Sequence, residues 1–475
     1  MNILFLILPI TGMILSLMVG TIGMTYVQLL LSLSVLLLAI YVLYAGSYGT
    51  FAYSLLLVDP LNLLLLVTVS ILEFFIALYA FWYVRKEINQ GISKKKFRSY
   101  YFWKNAFIFS MMLSVLSNNI GLYWVGLEAT TLTTAFLISF YRNKESYEAA
   151  WKYVIMCSIG ITIGLFSIVV LYFSSSSIYG YSLKALSFSD LLNMASFLQK
   201  ETLFLSFILA LVGFGTKVGF VPMHSWLPDA HSQAPSPISA LLSGVLLNTA
   251  LLGVLRFYQL GVKAGITHVR YFLLLFGLIT LVSAGFLMLR QREYKRLFAY
   301  SSMENMGLIT AGLAAGGYGV MGAALHILFH ALSKGVLFML AGNLLLYFHT
   351  RRTDQINGLF FRARKTAFLL IFATASIVGL PPFATFISKF YILLGLFNAS
   401  LAGGLISLFG IGLAVAAFLN QSLTMSLSKD EDLKPIEEER GLFLVPLMIL
   451  FLLVMFSFGM PYAFSHLVGR LMHEV

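Results

Sequence analysis

Apolar segments long enough to cross a lipid bilayer recur along the whole of this 475-residue chain, which is 59% hydrophobic and only 11% charged. A bilayer core about 30 Å thick needs roughly 20 apolar residues per helix, and every backbone polar group inside it must be satisfied by the protein. The sequence therefore predicts an all-α, polytopic membrane protein with about 14 transmembrane helices. The predicted helices cover residues 2–19, 25–45, 56–84, 105–118, 120–140, 152–173, 203–221, 238–258, 270–289, 299–316, 319–346, 366–396, 404–427 and 441–465.

The formal net charge of +12 is explained by membrane topology rather than by a nucleic-acid surface. Of the 31 Lys and Arg residues, 22 fall in loops after odd-numbered predicted helices and 6 on the opposite side. Basic loops stay in the cytoplasm, so we expect a multi-pass membrane protein with both termini on the outer side. The first apolar run lacks a basic leader and a small-residue cleavage site, which predicts a retained helix rather than a signal peptide.

The sequence gives no sign of a redox or metal centre in this chain. Its single cysteine, Cys157, lies in an apolar helix, and no Cys/His spacing suits a disulfide, a zinc site, haem or an iron–sulfur cluster. If the protein takes part in redox chemistry, we expect the electrons to travel in other subunits.

The seventh predicted helix stops behaving as a continuous helix after its basic residue. Lys217 lies in an apolar run among glycines, and Pro222 and Pro228 follow it. Broken backbone at membrane depth is tolerated only where it lines a protein-buried or wet cavity, and an intramembrane lysine usually marks an ion path. The alternative is a lysine that snorkels from a helix end.

The twelfth predicted helix, at 366–396, repeats this pattern, because Pro381 and Pro382 interrupt it and Lys389 follows. Two carboxylates, Glu128 in predicted helix five and Glu304 in predicted helix ten, are the acidic counterparts. In a buried Glu/Lys pair, the protonation state of each residue depends on the charge of the other. The alternative is a static ion pair.

Three titratable residues of predicted helix eleven, His326, His330 and Lys334, are spaced four apart. This spacing places them on one helical face, as a proton relay would require. Zinc is the rival interpretation, since histidines at i and i+4 can bind a metal, but no nearby Cys or carboxylate completes a ligand set. Asn248 and His224 are candidates for a water path, although Asn248 could equally serve in helix packing.

An internal repeat emerges from the spacing of these groups. Glu128 and Lys217 are 89 residues apart, and Glu304 and Lys389 are 85 apart. The units 103–260 (helices 4–8) and 266–427 (helices 9–13) each hold five helices. An odd number inverts the second unit, and inverted repeats with broken helices 7 and 12 predict ion sites at the breaks. The N-terminal helices (1–102) and an acidic loop with a last helix (428–475) flank the repeats.

Three features outside the two repeat cores have less specific predictions. Glu73 lies within predicted helix three without an obvious basic partner, so its role stays open. The basic loop 85–104 is expected to contact anionic headgroups, and the acidic stretch at 429–440 is expected to be solvated or to meet a basic partner.

The motifs KVGFVPMHSWLPDAHSQAPSPISALLSG, HILFHALSKGVLF and GLPPF followed by SK resemble the antiporter-like proton-translocating membrane subunits. That superfamily serves respiratory complex I, multisubunit cation/proton antiporters and membrane-bound hydrogenases. The resemblance runs from about residue 103 to 425. The segments WVGLEATTLTTAFLI, SYEAAWKYVIMCSIGI and AYSSMENMG are most similar to component F of hydrogenase-4 type complexes.

The resemblance implies a role for each matching residue. Glu128 and Lys217 would form the first pair, Lys334 would be the central lysine reached through the two histidines, and Lys389 would end the row. Many relatives have Lys or His near Asn248, where this chain has only an amide, so water would have to complete that link.

It also implies a prokaryotic plasma (inner) membrane and proton movement (with Na⁺ as an alternative ion). The implied partners are other membrane and hydrophilic subunits, which would hold nickel–iron and iron–sulfur centres. The alternatives are a subunit of a complex I-like NADH dehydrogenase, a subunit of a Na⁺/H⁺ antiporter, and a non-pumping scaffold.

Overall fold

The computed structural model describes residues 2–180, 182–426 and 434–474, and these are nearly all helical. The helices are α1 (Leu4–Met18), α2 (Thr21–Ala45), α3 (Pro60–Asn89), α4 (Lys94–Leu116), α5 (Ile120–Ile138), α6 (Lys144–Tyr179), α7 (Phe188–Asn193), α8 (Lys200–Val218), α9 (Leu227–Gln233), α10 (Ser236–Leu241), α11 (Leu247–Lys263), α12 (His268–Leu289), α13 (Tyr294–Ala315), α14 (Tyr318–Phe348), α15 (Leu359–Arg362), α16 (Arg364–Val378), α17 (Ala384–Ala399), α18 (Leu401–Ser426), α19 (Arg440–Phe458) and α20 (Tyr462–Glu474).

Every predicted transmembrane segment overlaps a helix of this structure. Within the described ranges, nine helices are long and apolar enough to cross a bilayer by length and composition. A π-helical turn, Leu242–Leu246, joins α10 to α11 into one continuous helical segment. The prediction of a helical, multi-pass membrane protein is therefore confirmed, and the count of fourteen helices stays a prediction.

One small element departs from the all-α prediction. Strands β1 (Gly49–Phe51) and β2 (Leu56–Val58) form an antiparallel hairpin where the third helix was predicted to begin. That helix instead begins at Pro60, because the Asp59 carboxylate accepts a hydrogen bond from the Asn62 backbone N–H at 2.8 Å. An aspartate N-cap followed by proline in the first turn is a strong helix start.

Both predicted helix breaks are present. Helix α8 ends at Val218, and helical structure resumes only at Leu227 in α9; α16 ends at Val378 and α17 begins at Ala384. The residues that follow the two ends, Gly219 and Gly379, have φ of 91° and 89°, a conformation that glycine adopts without a steric penalty. Pro222, Pro381 and Pro382 lie in the breaks, whereas Pro228 lies in the first turn of α9 and does not interrupt a helix.

Two helical segments form the centre of the bundle. The membrane-spanning parts of Tyr318–Phe348 (α14) and of Ser236–Lys263 are fully buried, whereas fewer than half of the residues in those of α2, α6 and α12 are buried. Helix α14 packs against α13, α17, α3, α16 and α19. A helix that is surrounded by other helices lies in the bundle core, so the polar side chains on α14 are shielded from lipid.

Glycines bring the lysine-bearing helices into close contact with their neighbours. A Cβ atom at Gly213 of α8 would lie 2.7 Å from Gly164 Cα of α6, and one at Gly322 of α14 would lie 2.7 Å from the Ser388 carbonyl of α17. Small residues allow such approach between membrane helices. These contacts fix the helices that carry Lys217 and Lys389.

Two loop predictions are wrong. Helix α4 begins at Lys94, eleven residues before its predicted start, and Lys104 lies inside it with no exposed surface. Lys295, counted with the loop at 290–296, is likewise buried in α13. Both lysines are enclosed by neighbouring helices and therefore do not belong to an exposed basic loop.

The predicted acidic stretch at 429–440 lies partly outside the described residues, which resume at 434. In the described part, the Glu438 carboxylate accepts hydrogen bonds from the backbone N–H groups of Lys365 and Thr366 at 2.8 and 2.7 Å. A carboxylate at a helix N-terminus is favourable, so Glu438 caps α16.

Candidate functional site

Lys217 occupies the last turn of α8, just before the first break, with no exposed surface. Its ammonium donates hydrogen bonds to the Leu127 carbonyl at 2.7 Å, to Thr130 Oγ1 at 2.6 Å and to Thr131 Oγ1 at 2.7 Å. A lysine ammonium has three N–H donors, and all three are therefore used. Every acceptor is neutral and belongs to α5.

Glu128 lies on the same helix as these acceptors, but it does not form a salt bridge with Lys217. Its two carboxylate oxygens accept from Ser158 Oγ at 3.0 Å and from Thr131 Oγ1 at 3.4 Å. Thr131 thus contacts both members of the predicted pair. Because a hydroxyl both donates and accepts, this threonine can relay a proton between the carboxylate and the amine.

The second carboxylate and lysine meet directly. Lys389 Nζ lies 3.5 Å from Glu304 Oε1, and the two side chains are 6% and 2% exposed. Asn305 also donates to Glu304 through its side-chain amide. The Lys389 stem packs against Gly379 at the second break. Chemically similar pairs in the two halves are therefore held differently, one through a hydroxyl and the other as an ion pair.

The structure also qualifies the proposed equivalence of the two lysines. Lys217 lies five residues before Pro222 of its break, whereas Lys389 lies seven residues after Pro382 of the other break. When the two breaks are aligned, the counterpart of Lys389 is Asp229, which forms ion pairs with Lys152 at 3.2 Å and Arg296 at 2.7 Å. The similar intervals of 89 and 85 residues do not reveal this offset.

His326, His330 and Lys334 form a stripe along one face of α14. This stripe connects the Glu304–Lys389 pair to the centre of the bundle. His326 bonds to Ser388 Oγ through Nδ1 and to Asn305 Oδ1 through Nε2, both at 2.8 Å. The His330 ring stacks 6.1 Å from the His326 ring. Both His330 nitrogens are buried and lack a hydrogen-bond partner in the part of the chain that the structure describes. Buried polar atoms of this kind are usually bonded to ordered water.

Lys334 completes the stripe one turn further on. Its ammonium donates to the Phe298 carbonyl at 2.7 Å and to Ser301 Oγ, and the side chain has no exposed surface. Like Lys217, it is held by neutral acceptors. For the metal alternative, no group of three His, Cys, Asp or Glu side chains with metal-ligand geometry occurs among residues 2–180, 182–426 and 434–474.

Asn248 and His224, the candidates for a water path, lie in different surroundings. The Asn248 amide donates to the Gly244 carbonyl at 2.8 Å, within the segment that contains the π-helical turn, and its buried Oδ1 has no partner among the described residues. π-Helical turns are frequent at functional sites. His224 lies in the first break, edge-on to the Tyr300 ring at 6.4 Å, where the structure shows no contact with the lysine row.

Sequence reasoning missed several buried polar residues. Lys295 donates to the Ala234 carbonyl at 3.0 Å, and His231 is enclosed between the Trp226 and Phe338 rings. The proline-rich run after Lys217 suggested a loop, so His231 was not considered as a buried group. Glu73 was missed as a paired residue, because its partner, Lys104, lies at the end of a basic run.

With the geometry in hand, comparison with known proteins identifies the family. Residues 117–415 match the family described as the transmembrane part of NADH:quinone oxidoreductase and Mrp antiporter proteins. The chain belongs to this family. The matched region contains Glu128, Lys217, Lys334 and Lys389.

Two curated members of this NADH:quinone oxidoreductase/Mrp antiporter family are similar in sequence. A hydrogenase-4 component F homolog of Methylacidiphilum infernorum (isolate V4) is 37% identical over 366 residues, which cover 75% of this chain and 77% of that protein. Hydrogenase-4 component B of Escherichia coli (strain K12) is 31% identical over 364 residues, 74% of this chain and 52% of that protein. The predicted antiporter-like membrane subunit is confirmed.

Solved structures agree on the fold. A chain of the membrane-bound sulfane sulfur reductase, an archaeal respiratory membrane complex, superposes with a TM-score of 0.88 at 22% identity, covering 100% of this chain and 97% of that one. A chain of respiratory complex I from Thermus thermophilus gives a TM-score of 0.84 at 20% identity, covering 100% and 99%.

Proposed function

We propose that this family member is a proton-translocating subunit of a redox-driven membrane complex of the hydrogenase-4 type. One observation carries the proposal: Lys217, Lys334 and Lys389 are buried on three different helices, and the first two rest on neutral acceptors. Without a carboxylate in direct contact, a buried ammonium is poorly stabilised against loss of its proton. Such lysines suit transient proton binding better than structural pairing.

The proposed path follows the row Glu128, Lys217, water, Lys334 and Lys389. Thr131 relays a proton between Glu128 and Lys217, and His330 and Asn248 line the stretch that water must complete. A proton gained or lost at one site changes the charge felt by its neighbour, and this coupling is strong because the surroundings have a low dielectric constant. Glu304 responds last, through its ion pair with Lys389.

The wider architecture is part of the proposal. It comprises fourteen transmembrane segments, with the inverted five-helix units 103–260 and 266–427 placed between the flanking segments 1–102 and 428–475. We also propose a prokaryotic plasma membrane location with both termini outside, supported by the basic loops after odd-numbered helices. Membrane and hydrophilic partner subunits would hold the nickel–iron and iron–sulfur centres, as the resemblance to hydrogenase-4 components suggests.

The test is redox-driven acidification of inverted membrane vesicles that contain the assembled complex. Lys217→Ala and Lys334→Met should each abolish proton uptake while the complex still assembles. Lys263→Met is the matched control, because Lys263 is exposed at the end of α11, and it should leave uptake unchanged. Normal uptake in both buried-lysine variants would refute the proposal and favour a scaffold.

The same vesicles separate this function from its main rival. Cation/proton exchange driven by an imposed Na⁺ gradient, in the absence of any electron donor, would indicate an antiporter subunit. Co-purification of nickel–iron and ferredoxin-like subunits in mild detergent would support the redox-driven assignment, whereas a complex I-like set of partners would move the assignment to NADH dehydrogenase.

A further inference from the structure

A second buried ion pair lies in the N-terminal helices, outside the matched family region. Lys104 Nζ of α4 is 2.9 Å from Glu73 Oε1 of α3, and the side chains are 0% and 3% exposed. Gln28 of α2 donates to the same Glu73 oxygen at 3.3 Å, and the Asn105 amide donates to Gln28 at 2.9 Å. Glu73 Oε2 has no hydrogen-bond partner in the described chain.

The fold does not require such a pair for stability. A buried ion pair often stabilises a protein no better than apolar residues of the same volume would, and α3 is otherwise almost entirely apolar at this depth. Charges inside a membrane protein generally mark a path for ions. The unpartnered Glu73 oxygen leaves an acceptor available for a proton.

A second carboxylate lies on the same side of α3, nearer the end of the bundle that carries the basic loops, here called the basic face. Glu87 follows Glu73 by fourteen residues, which is nearly four turns and about 21 Å along the axis. Its Oε1 accepts hydrogen bonds from the hydroxyls of Tyr83 at 2.8 Å and Tyr141 at 2.6 Å. The side chain is buried, and its Oε2 has no hydrogen-bond partner among the residues that the structure describes.

Tyr100 of α4 lies close to the residues that hold both carboxylates. It precedes Lys104 by one turn, and helical side chains lean toward the helix N-terminus, so its ring extends toward the basic face. The Tyr100 ring packs 5.8 Å from the ring of Phe140, and the next residue, Tyr141, donates to Glu87. The hydroxyls of Tyr100 and its neighbour Tyr101 are buried without a partner among residues 2–180, 182–426 and 434–474.

Tyr100, but not Tyr101, also reaches a cleft at the basic face. A cavity of about 280 Å³ opens between α4 and α5, and its polar lining comes from Lys96, Ser99, Tyr100, Ser139, Arg142 and Tyr147. A water molecule occupies roughly 30 Å³ in the liquid, so the cleft has room for several. Tyr100 therefore borders this polar cleft and lies one helical turn from Lys104 of the buried pair.

We propose that the Glu73–Lys104 pair is a proton-binding site that is loaded from the basic face through the cleft and Tyr100. In the loading step, a hydronium ion in the cleft gives a proton to the Tyr100 oxygen, and the tyrosine's own hydrogen passes to an intervening water, since the Tyr100 hydroxyl and Glu73 Oε2 do not bond directly. That water gives one of its hydrogens to the free oxygen of Glu73. The tyrosine ends as it began, Glu73 becomes a neutral carboxylic acid, and Lys104 keeps its charge. The site changes from neutral to +1, and Glu87 with its two tyrosines lies beside the route.

The experiment is infrared difference spectroscopy of the purified complex between pH 5 and pH 9, followed by H₂O-to-D₂O exchange. A protonated-carboxyl band that appears at low pH should be absent from Glu73→Gln. If that variant fails to assemble, the double variant Glu73→Gln/Lys104→Met, which leaves no unpaired charge, should lack the same band. Its presence in either Glu73 variant would overturn the assignment.

The path is tested by the rate at which that band exchanges with deuterium. Tyr100→Phe should slow the exchange at least tenfold, while the matched control Tyr101→Phe should stay within twofold of the unmodified complex. Equal rates in the two variants would overturn the route through Tyr100. Lys217→Ala in the vesicle assay tests the proposed function separately, since the band does not depend on pumping.

Discussion

Replacing Thr130 by valine should weaken the binding of a proton by Lys217. Thr130 Oγ1 accepts one of the three hydrogen bonds of the Lys217 ammonium, at 2.6 Å, and valine removes this acceptor at nearly constant size. A hydrogen bond that involves a charged group contributes about 1.5–3 kcal/mol. Since 1.4 kcal/mol is a factor of ten, the charged form should become roughly ten- to a hundredfold less populated relative to the neutral amine.

The assay is the pH dependence of redox-driven proton uptake in inverted vesicles. The charged form is lost as pH rises, and weaker bonding to that form makes the loss occur at lower pH. The alkaline limb of the profile should therefore move about one to two pH units toward acid. A shift toward alkaline pH, or no shift, would refute the role assigned to the threonine acceptor.

Thr133→Val is the matched control, because its hydroxyl bonds to the Ala129 carbonyl at 2.9 Å and is not among the acceptors of Lys217. It tests whether loss of a helix-bonded hydroxyl in α5 is enough to alter pumping. Identical profiles for Thr130→Val and Thr133→Val would mean that the hydrogen bond to Lys217 does not govern protonation.

Three further predictions concern stability. Gly213→Ala should lower the free energy of unfolding by about 1–3 kcal/mol in a thermal or denaturant assay, because the new methyl group overlaps Gly164 of α6. Arg256→Met should destabilise the protein by about 2–4 kcal/mol in the same assay, since it leaves the Asp59 carboxylate, 2.7 Å away and 17% exposed, without its partner. Burial and the nearby Asp59 raise the pKa of Glu474 to about 7. The folded state therefore binds this proton more tightly than the unfolded chain does. Docking of α20 should weaken as pH rises from about 4.5 to 7, because Glu474 then loses the proton. Limited proteolysis of α20 should show this trend, and Glu474→Gln should remove it.

Helix existence and the two breaks could be predicted because they depend on local chemistry. Apolar runs must be helical in lipid, and the Gly219 and Gly379 positions are followed by prolines that cannot continue a helix. The ends were less predictable. Helix α4 extends to Lys94 because a helix can project beyond the bilayer into water. Basic side chains are solvated there whether the backbone is a helix or a loop.

The pairing of charged residues could not be predicted, because it depends on how each helix is rotated about its axis. Helix α3 is apolar on every side, so its sequence does not indicate that Glu73 faces α4 rather than α14. The same limitation applies to Glu128, whose carboxylate was expected to meet Lys217 but is separated from it by Thr131. The i, i+4 spacing of His326 and His330 was informative because both residues lie on one rigid helix.

The glycine contacts determine which parts of the proposed pump can move. Sliding α8 past α6 would disrupt the close approach at Gly213, and sliding α17 past α14 would disrupt the contact at Gly322. Helix displacements occur over microseconds to milliseconds, whereas side chains change rotamer in far less time. The mobile elements are therefore the flexible four-carbon stems of Lys217 and Lys389, which swing from fixed backbones. Turnover in such a machine would be limited by how often water completes the path, since the helices themselves need not rearrange.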